Sequence, residues 1–153
     1  MIKRQKTILG SVIKIDLLDG YHSYGRILKG SSYAIYDIRT KEELNPEDVI
    51  QSNILFIINV YKYGVTKGRW LKIATFPLEP ELMILPLEFM QDMMDLNKFE
   101  LYDPNTGDIA LATKEECTGL ERAAVWEPEH VEERIRDHFL GRPNQWVEML
   151  KMK

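Results

Sequence analysis

A single cysteine, Cys117, stands in a chain of 153 residues. It excludes an intrachain disulfide framework and a cysteine-based zinc site. A reducing compartment, the cytoplasm, is therefore expected. Glu115 and Glu116 flank the thiol, and their charge disfavours a reactive thiolate. Histidine is scarce too: His22, His130 and His138 are all there are. His130 and His138 lie on one predicted helix, roughly 12 Å apart along its axis, too far to share an ion unaided. His130 and Glu133 make a His-x-x-Glu pair, but no second ligand pair accompanies it, so no metal is expected. Long apolar runs are missing as well. The longest, Ile54–Tyr61, is broken by Asn59 and falls far short of the ~20 residues of a membrane helix. No apolar stretch follows the basic opening Met1–Lys6, so a signal peptide is not expected there.

The motifs of catalysis are equally sparse. No P-loop, dinucleotide fingerprint or nucleophile elbow occurs. The glycines at Gly20 and Gly25 precede no helix, which a phosphate-binding loop generally needs. Asp103-Pro104-Asn105-Thr106-Gly107-Asp108 faintly resembles a calcium loop, but glycine falls at the fifth position and Lys114 at the twelfth. A binding protein without catalytic residues or cofactor is expected, with an enzyme built around His22 and a nearby carboxylate as a remote alternative.

What is present begins with uneven charge. Residues 1–75 carry 12 Lys and Arg against 7 Asp and Glu, whereas residues 76–153 carry 8 against 17. Between 79 and 133, 15 acids face only Lys98, Lys114 and Arg122. A general nucleic-acid binder would have a clear basic excess, so nucleic acid is not the expected partner. The acidic part is either a solvated surface or a docking face for a basic protein.

The patterning predicts an α+β chain: a strongly bent antiparallel sheet or partial β-barrel with C-terminal helices packed on it. One domain over 1–153 is expected, strand-rich over 8–125 and helical over 126–152. Ile13-Lys14-Ile15-Asp16-Leu17 alternates as a half-buried strand does. Strands are predicted at 24–28, 33–38, 54–58 and 69–73. Prolines argue against a regular helix over 76–86. Residues 87–96 fit a strand followed by a turn, and helical spacing leaves the alternative open. Phe99–Tyr102 and Ile109–Leu111 flank an Asp-Pro-Asn-Thr-Gly turn, a hairpin signature. Pro128 suits the first turn of a helix, with Trp126 and Val131 as a hydrophobic staple and Gly141 as its stop. Val131, Ile135 and Phe139 form its buried stripe, leaving Glu132, Glu133, Arg136 and Asp137 towards water. A second short helix is predicted at 144–151.

The stretch "IKIDLLDGYHSYGRIL", residues 13–28, raises a question of register. A two-residue Asp19-Gly20 turn would put Arg26 and His22 on the apolar face, and burying an unpaired guanidinium costs several kcal/mol. Shifting the pairing by one sets Ile13 opposite Ile27 and Ile15 opposite Gly25, with a three- or five-residue loop. Tyr21 and His22 then project at the tip, with Tyr24 and Arg26 below them on the outer face. Exposed Tyr, Tyr and Arg have the composition of an interface hot spot. The competing reading is that another segment, such as the C-terminal helices, covers this face.

The same residues carry a resemblance. Gly10, Val12, Ile15, Leu17, Asp19, Gly20, Tyr24, Gly25, Arg26 and Ile27 are similar to the opening hairpin of the Imm26 immunity proteins. Gly68 and Trp70 in "KGRWLKIATFPL" resemble that family's Gly-x-Trp strand, so the likeness spans about 8–102. It implies a protein encoded beside a bacterial polymorphic toxin, which it neutralises by direct binding. The toxins of this family are expected to be nucleases. The expected partner is thus a cognate toxin domain, met by Tyr21, His22, Tyr24, Arg26, Glu132, Glu133 and Asp137. The alternative is a small barrel that binds nucleic acid through its positive first part and exposed tyrosines.

Overall fold

The structure is a computed structural model that describes residues 4–153, so the reading of Met1–Lys6 falls partly outside the described residues. The larger of two sheets contains β1 (Ser11–Asp16), β2 (His22–Ile27), β3 (Ser32–Tyr36), β4 (Ile54–Val60), β5 (Leu71–Thr75) and β9 (Val125–Trp126). Its spatial order is β5-β1-β2-β3-β4-β9. All neighbours are antiparallel except β4 and β9, which pair in parallel. The smaller sheet is β6 (Glu88–Gln91), β7 (Phe99–Tyr102) and β8 (Ile109–Ala112), an antiparallel meander. The strands from 87–91 and 99–111 thus form as the turn chemistry predicts. Neither sheet closes, so the architecture is α+β with a mixed sheet and no barrel.

Six helices punctuate the strands among the described residues. Four are single turns: α1 (Pro46–Val49), α2 (Tyr63–Thr66), α3 (Pro80–Met83) and α4 (Lys114–Cys117). The prolines of 76–86 do permit one turn, α3, because Pro80 occupies its first position, where no N–H is needed. Thr113 and Glu116 form a reciprocal capping box on α4. α5 (Pro128–Phe139) and α6 (Gln145–Leu150) are the predicted C-terminal helices. Asn144 caps α6 by accepting from the Trp146 and Val147 N–H groups.

The period-2 pattern of β1 puts Ile13, Ile15 and Leu17 into the main core, with Ile27, Tyr33 and Trp70. α5 closes this face with Val131 and Ile135, as its stripe predicts, and Trp126 sits beside Val131 in the same cluster. Arg136 donates from Nη1 to the Leu17 carbonyl at 2.7 Å, tying the last long helix to the first hairpin. The opposite face of the sheet is covered as well. Val12, Tyr24, Tyr36 and Val49 cluster there, beside a second group of Leu28, Ala34, Leu78, Leu82 and Leu85. The sheet is therefore a middle layer, not a half-exposed one.

The β1–β2 register pairs Ile13 with Gly25, Lys14 with Tyr24 and Asp16 with His22. The two faces are divided as expected, but the strands sit two residues from the expected pairing. Five residues, 17–21, separate the last ladder pair. Leu18 and Gly20 both take positive φ there, 62° and 88°. Leu17 N–H donates to the Tyr21 carbonyl at 3.0 Å, which closes the loop.

Candidate functional site

The hairpin tip is not the projecting aromatic cluster that its composition suggests. Tyr24 is fully buried, and its hydroxyl meets His22 Nε2 at 3.0 Å and accepts from Leu44 N–H at 3.1 Å. His22 is buried with it. Tyr21 is half-buried, with the Arg39 guanidinium 3.5 Å from its ring centroid. Tyr24 is covered by residues 38–50 and Phe76, on the face away from the C-terminal helices, whereas Tyr21 packs against the main core that α5 closes.

Arg26 is the largest correction. It lies at 0 % exposure, with every donor used. Nε donates to the Gly10 carbonyl at 2.6 Å. Nη1 donates to the Tyr36 hydroxyl at 3.3 Å and to Glu79 at 3.2 Å. Nη2 donates to the carbonyls of Phe76 and Pro77 at 3.1 and 3.0 Å. Arg26 does lie on the face away from Ile13 and Ile15, but the expectation that it stands exposed there fails, because that face is covered and the guanidinium is paired five ways. Gly10 completes the arrangement: its φ is 86°, and a Cβ there would stand 2.1 Å from the Phe76 carbonyl oxygen. The Gly10 and Arg26 motif residues therefore serve the scaffold, holding the 76–79 segment against β2.

The acids of α5 tell the same story. Glu132, expected in water, is buried and accepts from Arg69 Nε and Nη2, both at 2.7 Å, and from Trp70 Nε1 at 2.9 Å. Asp137 is also buried, accepting from Arg142 Nε at 2.5 Å and Asn144 Nδ2 at 2.9 Å, which fixes the turn into α6. Glu133 is half-buried and accepts from Trp146 Nε1 at 2.7 Å. Helical periodicity alone put these carboxylates outside; the Arg, Trp and Asn donors that draw Glu132 and Asp137 in come from β5's approach and the α5–α6 turn. Of the seven expected contact residues, only Tyr21 and Glu133 retain partial exposure.

Four cations of the first part, Lys14, Arg26, Arg39 and Arg69, are held in such pairs. Lys14 meets Glu43, Arg39 meets Asp19, and Arg69 meets Glu129 and Glu132. Tyr24, Tyr33 and Tyr36 are buried and offer no face for base stacking.

One exposed surface that joins apolar and acidic side chains lies on the small sheet. Its inner face buries Phe89, Phe99 and Cys117. Burial, and then the Glu116 charge, pushes the Cys117 thiol up from its usual value. On the other face the register aligns Met90, Glu100 and Leu111 in one row and Glu88, Tyr102 and Ile109 in the next. Glu88, at the inner end, is buried and accepts from Asn59 Nδ2 at 3.1 Å, which links the small sheet to β4. Burial raises its carboxyl pKa against the opposing effect of that bond. Leu111 is 75 % exposed and Ile109 55 %. Met93 and Met94, in the loop after β6, stand almost fully in solvent. In this sheet and its flanking turns, Asp92, Asp95, Glu100, Asp103, Asp108, Glu115 and Glu116 form no ion pair within 4.0 Å with any described residue. Lys98 offsets part of the Asp92 charge. Exposed apolar groups and carboxylates without an ion pair thus share one small sheet. The sequence carries the signal in Met93-Met94 and Leu111, apolar groups set among acids, but the strand pattern does not say which face of a two-sheet protein stays open.

No cluster of three or more His, Cys, Asp or Glu suited to a metal occurs among the described residues. No described helix is long and apolar enough to cross a membrane. A wide cleft of about 530 Å³ runs between α4 and α6, past Phe89, Trp126 and Leu150.

The fold and its surface define a mixed α+β scaffold whose small sheet is acidic and partly apolar on its exposed side. The chain belongs to the Imm26 family, Immunity protein 26, whose sequence profile matches residues 8–100. It is thus an immunity protein, a class whose partner is a toxin. No curated protein matches the chain. No solved structure matches it either. The family match ends within β7, so β8 and the C-terminal helices lie beyond it.

Proposed function

We propose that the protein binds the toxin domain encoded beside it in a bacterium and neutralises it by occlusion in the cytoplasm. The toxin is a nuclease in this reading, and the immunity protein acts as a stoichiometric inhibitor without chemistry of its own. The observation that carries the reading is the small sheet with its turns, where Leu111 and Met94 are exposed and seven carboxylates form no ion pair with a described residue. A nuclease neutralises phosphates with Lys and Arg, so its substrate face is basic. An acidic partner is drawn to that face at elevated rate, and apolar anchors then slow its release. Tyr21 and Glu133, the expected contacts that keep partial exposure, lie elsewhere and belong to a secondary contact at most.

The test combines the purified toxin domain from the adjacent gene with this protein and follows cleavage of RNA and DNA. Inhibition that saturates at one equivalent, with an association rate that falls as salt rises, is expected. Undiminished cleavage at tenfold excess, or no complex at micromolar concentration in low salt, rejects the proposal.

A further inference from the structure

The sheet edges differ in how they are closed. On β6, Phe89 N–H donates to the Glu121 carbonyl and its own carbonyl accepts from Ala123 N–H, so residues 121–123 cover that edge. On β5, the Gln5 side chain accepts from Lys72 N–H and donates to the Trp70 carbonyl, so part of that edge is occupied. β8 has no such cover. Asp103 N–H donates to the Asp108 carbonyl at 2.9 Å, which marks a hydrogen-bonded pair next to the β7–β8 ladder. Alternation along an antiparallel ladder then turns Ala110 and Ala112 towards β7 and the N–H and C=O of Ile109 and Leu111 outward. No described backbone or side-chain group outside the strand pair bonds those four groups.

Such an edge is a template for another strand. Here it also carries a charge sign. Asp108 precedes it, Glu100 stands behind Leu111, and Glu115 and Glu116 follow in the capped turn α4, with Lys114 the only cation among them. Pairing of β8 with a second copy of this chain would set these acids against their own likenesses, which disfavours self-association. A strand bearing Lys or Arg meets the opposite sign.

We propose that β8 is the edge to which an extended basic segment of the toxin adds as a fourth strand. Its backbone takes the outward groups of Ile109 and Leu111, its cations face Asp108, Glu115 and Glu116, and its apolar residues rest on Ile109 and Leu111. The proposal rests on the toxin-binding reading above and specifies the geometry of that contact.

The probe is the toxin domain from the adjacent gene, inactivated in its nuclease centre. Hydrogen exchange on the wild-type complex should slow the Ile109 and Leu111 amides at least tenfold relative to the free protein. Leu111→Pro removes one outward donor and leaves the β7 ladder bonds, and should weaken binding at least a hundredfold. Leu111→Lys keeps the backbone donor at an exposed position, and should weaken binding about tenfold. If wild type binds the toxin while both amides exchange as in the free protein, the strand-addition proposal is overturned and toxin binding stands. Equal affinity of a folded Leu111→Pro variant has the same consequence. If wild type fails to bind the toxin, both are overturned together.

Discussion

Replacing Arg26 by Met tests the central claim that a family motif residue is scaffold. Met fills much of the same volume with no donors. The Tyr36 hydroxyl can rotate to new partners, and Glu79, 35 % exposed, can rehydrate. The Gly10 carbonyl still accepts from Phe76 N–H at 3.2 Å. The carbonyls of Phe76 and Pro77 bear the main loss, at about 1–3 kcal/mol for each buried group left without a partner. Together with the lost charge network this gives about 3–5 kcal/mol, or a fall in Tm of roughly 6–20 °C. Urea denaturation followed by far-UV circular dichroism measures it. Arg26→Lys keeps the charge but not the planar fork, and should recover less than half of the loss. A surface arginine would cost within about 0.5 kcal/mol. A loss below about 1 kcal/mol with an unchanged denaturant slope would falsify the burial argument. Toxin affinity of the folded variant should stay at the parental value, because Arg26 touches no solvent.

Other expectations follow the same logic. Gly10→Ala forces a left-handed backbone and a Cβ against Phe76, so it should cost more than about 1–2 kcal/mol in thermal unfolding. Glu88 has a raised carboxyl pKa in the folded state, so its neutral form is favoured at low pH and that contribution is lost as pH rises through the raised value. Glu88→Gln should therefore be more stable than the parent at pH 7, with the gap closing towards pH 4; a constant gap across that range refutes it. Cys117 should resist iodoacetamide until the protein unfolds, and mass spectrometry of the native protein should find it unmodified. Asp108→Lys with Glu115→Lys, which leaves the Glu116 cap of α4 in place, should lower the toxin association rate several-fold at low salt while leaving Tm within a few degrees. An unchanged rate in stopped-flow would place the encounter surface elsewhere.

Local chemistry made most elements readable. Pro128, Gly141 and the Val131–Ile135 stripe bounded α5, and Asp-Pro-Asn-Thr-Gly bounded the β7–β8 hairpin. The separation of faces in β1 and β2 followed from alternation alone. The two-residue difference in register did not: Leu18 adopts a positive φ that leucine rarely takes, and the five-residue loop sits one residue earlier, at 17–21. The candidate site was less legible. An arginine on a strand reads as surface unless its acceptors are known, and the acceptors of Arg26 are carbonyls some 50 residues away. Glu132 was misplaced for the same reason: its partner Trp70 lies 62 residues earlier. The Met93-Met94 loop and the outer face of β8 became visible only when the second sheet was seen to stand apart from the first. The acidic bias over 79–133 was plain in the sequence, but which acids stay unpaired depends on the fold.

Leu17 and Arg136 meet across nearly the whole chain. The face of the first hairpin is closed in part by a helix whose Arg136 lies 119 residues after Leu17. During synthesis, Ile13, Ile15 and Trp70 are made well before the Val131 and Ile135 that pack with them. That part of the core cannot close until α5 has been made, so the hairpin spends part of synthesis with its apolar face open. A chain cut before α5 would leave that face to solvent.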